Sequence, residues 1–270
     1  MDIGPDSKSG MSATVAEHAR ESCRHCLARS GGFCSEFGTD DIAELASIKL
    51  PARGLAAGTE IYRQGDAPGG YYTVLNGWVA LRMGMADGSR HILDFAMPGA
   101  FLGIVTDPGA DYGHTAECVT DVRVCELPRA RLHEFVGGRP NALDRLLHIT
   151  ACHEAGAQDH FVNLAGRDAR DRLAHLIVEL FFRVYRRLPT RRGDSLAIPL
   201  TQTQIGEAIG LTSVHVSRMF RALREDGMAS YAKGVLTVLN PERLLHVAGT
   251  LGRAADYGRD GLIHAAPGNN

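Results

Sequence analysis

The chain has no run of about 18 apolar residues, the length a membrane-spanning helix needs. Its first twenty residues, MDIGPDSKSGMSATVAEHAR, lack the basic, then apolar, then small-residue order of a secretory signal. Both absences lead to the expectation of a cytoplasmic protein. Cysteine is scarce, six in 270 residues, and net charge is close to nil at −2. No Ser/His/Asp arrangement, phosphate-binding loop or pair of catalytic carboxylates stands out, so the expectation is a protein that is not an enzyme. No helical repeat period runs through residues 50–127. What remains is an ordinary globular composition, 44% hydrophobic and 22% charged, long enough for one large or two small domains.

The charge is unevenly spread. Residues 1–165 carry 14 Lys/Arg against 21 Asp/Glu, net −7, whereas residues 166–240 carry 12 against 7, net +5. A basic segment on an acidic chain suggests that one domain meets a polyanion. The pattern divides the chain into a cysteine-bearing segment (1–38), a β-rich domain (39–138), a long helix (139–166), a basic C-terminal domain (167–252) and a Gly- and Ala-rich tail (253–270).

Thr39 and Asp40 offer a cap for a short helix running to about Lys49. From Leu50 to Leu127, short β-type runs follow, among them "TEIYRQGD", "YYTVLNGWVALRM" and "HTAECVTDVRVCELP". Gly and Asp punctuate them as in a small antiparallel barrel or sandwich. Past Pro128 the period becomes helical. Leu143, Leu147, Thr150, Glu154, Ala157, Phe161 and Leu164 form one stripe of a long helix, a candidate dimer seam. A second helix runs from an Asp168 cap to about Arg187, with Leu173, Leu176, Ile177, Leu180 and Phe181 as its apolar face. Basic residues cluster after it at Arg186, Arg187, Arg191 and Arg192.

The stretch "LTQTQIGEAIGLTSVHVSRMFRALREDGMASYAKGVLTVLN" carries the strongest pattern. Ile205, Ala208 and Ile209 give one helix a buried face, Gly210 supplies a sharp turn, and Thr212 caps a second helix from Ser213 to about Asp226. Val216, Phe220 and Leu223 pack that helix on the first, which is helix-turn-helix patterning. Ser213, Val214, Ser217, Arg218 and Arg221 are left facing outward. A hairpin turning at Lys233-Gly234 follows as a wing. Arg218 is placed to reach a guanine O6/N7 pair, with Ser213, Val214 and Ser217 near neighbouring bases. Gln202 and Arg221 are better placed for phosphates.

The remaining feature is "ESCRHCLARSGGFC", three cysteines in twelve positions. In a reducing compartment such spacing points to metal or redox chemistry rather than to disulfides. Gly31 and Gly32 are expected to give the loop the backbone freedom that returns Cys34 toward Cys23 and Cys26.

A β-roll, a long helix and a C-terminal winged helix-turn-helix resemble the Crp/Fnr superfamily of transcription regulators. "GTEIYRQGD", "YYTVLNGWVAL" and "GLTSVHVSRMFRALREDG" carry the likeness, which covers roughly residues 35–250. It implies an α+β fold and a homodimer that reads a two-fold symmetric, palindromic double-stranded DNA site and contacts RNA polymerase, as an activator. Cyclic-nucleotide-binding members use a Gly-Glu-Leu run and an Arg before Ser/Thr-Ala. Here Ile104 follows Gly103, and His114 precedes Thr115-Ala116; a neutral imidazole is a poor partner for a cyclic phosphate, so no cyclic nucleotide is expected.

The cysteine spacing is similar to that of the oxygen-sensing Fnr branch. By that resemblance Cys23, Cys26, Cys34 and Cys125 are the ligands of a [4Fe–4S] cluster, one thiolate per iron. Cys118 lies seven residues before Cys125 and is the main ambiguity, while Cys152 falls on the long helix. Four-cysteine zinc, a thiol-only redox switch, a haem bound through histidine and a cupin-type metal enzyme using His91 and His114 are the competing readings. The Fnr branch carries a Glu where this chain has Val214. The half-site is therefore expected to keep the guanine of a TTGAT-like element and to be relaxed at the base pair the Glu would read. Glu154 is expected near its own copy in a dimer, a like-charge pair that leaves association marginal.

Overall fold

The structure, a computed structural model, describes residues 23–249 other than Thr106 and Pro108. The first 22 residues of the cysteine segment and the expected tail lie outside the described residues. Two short turns of 3-10 helix, Cys23–His25 and Leu27–Gly31, open the described chain. Helix α1 (Thr39–Ile48) follows. The expected Thr39 or Asp40 cap is not formed: Gly38 is the N-cap, without a side-chain bond, and Thr39 is already helical. Asp40 and Asp41 instead stand in the first turn, where the helix dipole favours negative charge.

Eight strands then form two antiparallel sheets: β1 (Arg53–Leu55), β2 (Glu60–Tyr62), β3 (Gly70–Asn76), β4 (Val79–Gly84), β5 (Arg90–Ala96), β6 (Phe101–Leu102), β7 (Thr115–Cys118) and β8 (Val122–Pro128). Their orders are β1-β8-β3-β6 and β2-β7-β4-β5, which is the small β-roll the punctuated strand pattern implied. Side chains alternate across each strand. In β8, Val122 and Val124 enter the interior packed by Ile61, Tyr62, Tyr72, Val74 and Tyr112. Cys125 and Leu127 therefore share the opposite face, and Leu127 joins a second core outside the roll with Phe33, Phe37, Leu45, Phe101 and Phe135. β3 is buried along five successive residues because both its faces are covered.

Helix α2 (Arg129–Gly137) leads to α3 (Pro140–Gly166), whose first position is a proline that needs no hydrogen-bond donor there. Ala142, Arg145 and Ile149 form its buried face. α4 (Ala169–Tyr185) begins at Asp168, whose carboxylate accepts from the Asp171 amide, and ends where Arg186 turns left-handed at φ 54°. The expected end at Arg187 is therefore two residues too late.

The C-terminal domain contains β9 (Ser195–Ala197), α5 (Gln202–Ile209), α6 (Ser213–Glu225), β10 (Ala229–Ala232), β11 (Val235–Val238) and α7 (Pro241–Ala248). β10 and β11 form the wing hairpin, with Lys233 at φ 51° and Gly234 at φ 78° in its turn. β9 adds a third strand to it, in order β10-β11-β9. This domain is seated on its own β-roll: Ala80, Ile92, Phe95 and Met97 share one core with Leu176, Phe181, Ile205 and Leu236. Among the described residues, no helix is long and apolar enough to cross a membrane.

Candidate functional site

Two segments far apart in sequence line one cavity. Cys23, Cys26 and Cys34 come from the opening loop and Cys125 from β8, with Leu45, Leu75 and Leu127 between them and Arg29 and Lys49 on the wall. The parity of β8 explains Cys125: with Val122 and Val124 inside the roll, Cys125 faces the loop, across the sheet from Thr73. The same parity argument separates Cys118, which is 1% exposed and packed inside the roll. Cys152 lies on α3 with its Sγ 3.4 Å from His148 Nε2 and does not line the cavity.

Aromatic packing holds the loop in place. Phe33, fully buried, stacks on Phe101 of β6 at 4.9 Å between ring centres and meets Phe37 edge-on at 5.0 Å. Arg29 ties the loop internally, donating from Nε to the Cys34 carbonyl at 3.2 Å and from Nη2 to that of Phe37 at 2.6 Å. Gly32 is required for a reason other than the expected one. Its φ of −101° is open to any residue. A Cβ there, however, would sit 2.8 Å from the Gly99 carbonyl oxygen and 2.9 Å from that of Ala28.

The thiols are brought together at an electrostatic cost. Burial pushes the Cys34 thiol up to about 12, and Cys125, Cys23 and Cys26 each push it in the same direction. Arg29 opposes them. Four cysteines on one cavity, with Arg29 and Lys49 on its wall, form a sulfur donor set. Among the described residues, no group of three or more His, Cys, Asp or Glu side chains is placed to hold a metal ion.

Inside the β-roll the structure is aromatic. Tyr62 stacks on Tyr112 at 4.0 Å and lies 5.8 Å from Tyr72. His114, which stands before Thr115-Ala116, is engaged by the Tyr62 hydroxyl at 2.8 Å. Burial, and then the proximity of His153, hold His114 below its ordinary value and favour its neutral form.

The C-terminal domain builds its surface as the periodicity implied. Thr201 and Gln204 cap α5 reciprocally. Gly210 turns left-handed at φ 66°, and Thr212 accepts from the His215 amide to start α6. Val216, Phe220 and Leu223 are buried, while Val214, Ser217, Arg218 and Arg221 are exposed; Ser213 and Gln202 are half-buried. Of the basic cluster after α4, Arg187 is committed elsewhere, paired with Asp194 at 2.8 and 2.9 Å and lying 5.1 Å over the Phe181 ring.

On α3, Leu143, Leu147, Thr150, Glu154, Ala157 and Phe161 are exposed, Phe161 by 70%. Leu164, expected on the same stripe, is half-buried beside Gly210 of the C-terminal domain. Glu154 accepts from Gln158 at 3.3 Å. Sequence reading missed Arg145, Arg82 and Glu207, which stand off every apolar period yet are at most 17% exposed along their side chains.

Comparison with known proteins agrees with this architecture. Residues 52–138 match the cyclic nucleotide-binding domain family and residues 171–247 the Crp-like helix-turn-helix domain family. The nitrogen fixation regulation protein FixK of Bradyrhizobium diazoefficiens is 30% identical over 226 residues, covering 82% of this chain and 92% of its own. The transcriptional activator protein FnrL of Cereibacter sphaeroides is 29% identical, over 84% of this chain and 92% of its own. The solved structure of FixK2 from Bradyrhizobium japonicum superposes with a TM-score of 0.67 at 25% identity, covering 75% of this chain and 98% of that one. The chain belongs to the Crp/Fnr family and is a DNA-binding transcription regulator of that type.

Proposed function

We propose that this regulator carries a [4Fe–4S] cluster on Cys23, Cys26, Cys34 and Cys125 and activates transcription when oxygen is low. The observation that carries the reading is the convergence of these four cysteines, from two distant segments, on one cavity walled by Arg29 and Lys49. Four cysteines match in type and number what a cubane takes, one thiolate at each of four corners. Such a cluster supplies an oxygen-reactive core that holds four thiolates only while it is intact. The chain's own part is mechanical: Cys23, Cys26 and Cys34 fasten the loop to Cys125 on β8, and the loop rests on Phe101 and on the inner face of α3. The outer face of α3, from Leu143 to Phe161, is the proposed homodimer seam, and Glu154 beside its copy keeps that dimer marginal.

The aromatic filling of the roll, with His114 held by Tyr62, supports regulation without a cyclic nucleotide. Two copies of α6 would then read the two halves of a palindrome, Ser213, Val214, Ser217 and Arg218 toward bases and Gln202 and Arg221 toward phosphates. RNA polymerase is the proposed further partner. The test is binding to a palindrome of TTGAT-like half-sites together with sedimentation, both under nitrogen and in air. Tight binding as a dimer only under nitrogen, with Glu154→Ala partly restoring the dimer in air, supports the proposal. Equal binding and equal dimerisation in both atmospheres contradicts it.

A further inference from the structure

Arg145 is the one charged residue on the buried face of α3 among the described residues, and it is 8% exposed. Its Nη2 donates to the Gly32 carbonyl at 2.9 Å, and its Nη1 to Glu36 Oε1 at 3.1 Å. Gly32 lies between Cys26 and Cys34 and lines the same cavity as the four thiols. On the same helical turns, Leu143 and Leu147 point outward and are 49% and 60% exposed. One side chain thus connects the backbone of the cysteine loop to the helix segment that bears the proposed seam.

The energetics make this a coupling rather than a passive contact. A buried guanidinium is costly unless its protons have acceptors, and with Nε unpartnered Arg145 depends on two, the Gly32 carbonyl and Glu36. If the loop lifts, Gly32 and Glu36 leave together and a buried cation is orphaned. That turn of α3 must then shift or release Arg145 to water. Loop order and helix position therefore bias one another, which is a coupling free energy between two sites.

We propose that Arg145 is the positioning residue that passes the state of the cysteine loop to the outward face of α3. The proposal rests on the cluster reading above. The test compares wild type with Arg145→Leu and Arg145→Lys by sedimentation of the anaerobic, iron- and sulfide-loaded protein and of the apo-protein. Wild type should dimerise at least tenfold more tightly when loaded. Arg145→Leu should keep its iron and sulfide, yet lose the difference to within about twofold, and Arg145→Lys should recover part of it. A second readout needs no cluster: in the apo-protein, Arg145→Leu should speed iodoacetamide alkylation of Cys34 severalfold, with an unchanged melting temperature. An undiminished loaded-to-apo ratio in Arg145→Leu at full iron content overturns the proposal. If wild type takes up no cluster, the proposed cofactor is wrong, and the Cys34 alkylation rate alone decides: unchanged by Arg145→Leu, it overturns the coupling.

Discussion

Arg82 on β4 and Glu207 on α5 form an ion pair at 3.3 Å across the junction between the β-roll and the helix-turn-helix. Arg82 also faces Glu117 at 3.5 Å, and its side chain is only 9% exposed. With the apolar core shared by Phe95 and Phe181, this pair seats the helix-turn-helix domain on the β-roll. Removing one partner leaves the other charged and poorly solvated, at a cost of about 3–5 kcal/mol for a fully buried pair. Because Glu207 retains 17% exposure, a loss of about 2–3 kcal/mol is expected for Glu207→Ala. Urea denaturation should show it, and the double replacement Arg82→Met with Glu207→Leu should be less destabilised than the single ones.

A contrast between two adjacent glycines tests the loop. Gly32→Ala drives a methyl group into the carbonyls of Gly99 and Ala28, and Gly31→Ala meets only the tip of Arg186 at 3.4 Å. Gly32→Ala should lower stability by about 1–3 kcal/mol, the range for overpacking a tight site, and Gly31→Ala by much less. Thermal melts of the two variants decide the matter, and equal losses would mean that the loop is not seated on Gly99.

Much of this architecture was legible beforehand. The helix-turn-helix could be read because Ile205, Ala208, Ile209, Val216, Phe220 and Leu223 are both apolar and periodic. The roll could be read from short β-type runs punctuated by Gly and Asp, whereas Cys118 stayed ambiguous until the structure placed it inside the roll. The pairs that connect domains could not. Arg145 and Gly32 are 113 residues apart, and a buried arginine leaves no periodic trace. β9 was missed for a related reason, since three residues are too short to show a period. The need for Gly32 was anticipated, but its cause is close approach and not backbone freedom.

DNA recognition is expected to divide by residue. Arg218→Ala should cost about 1–3 kcal/mol at the guanine and flatten discrimination there. Arg221→Ala should weaken all sites alike and reduce the slope of log K against log salt by about 1. Val214, 60% exposed, cannot accept a hydrogen bond from cytosine, so the base pair opposite it should be read loosely. Titration against palindromes altered one base pair at a time checks all three expectations, and sharp discrimination opposite Val214 would refute the last.

Acid sensitivity is expected from Asp194. The Arg187 guanidinium, then the amides of Arg191 and Thr190, hold its carboxyl well below the usual carboxylate range. A depressed folded value means that the stabilisation is fully present above the unfolded value of about 4 and is lost progressively as pH falls from there through the depressed folded value. Asp194→Asn should therefore melt lower than wild type at pH 7, with the gap narrowing as pH drops below about 4 and continuing to narrow below about 3. A gap that stayed constant over that range would show that the ion pair contributes nothing.

The most direct measurement is the iron and acid-labile sulfide content of anaerobically purified protein, compared across single Cys→Ser variants. Wild type should hold about four of each per subunit, as one cubane requires. Cys23→Ser, Cys26→Ser, Cys34→Ser and Cys125→Ser should each abolish this content, while Cys118→Ser and Cys152→Ser keep it. A colourless wild type carrying one zinc, or a full cluster in the Cys125→Ser protein, would contradict the account.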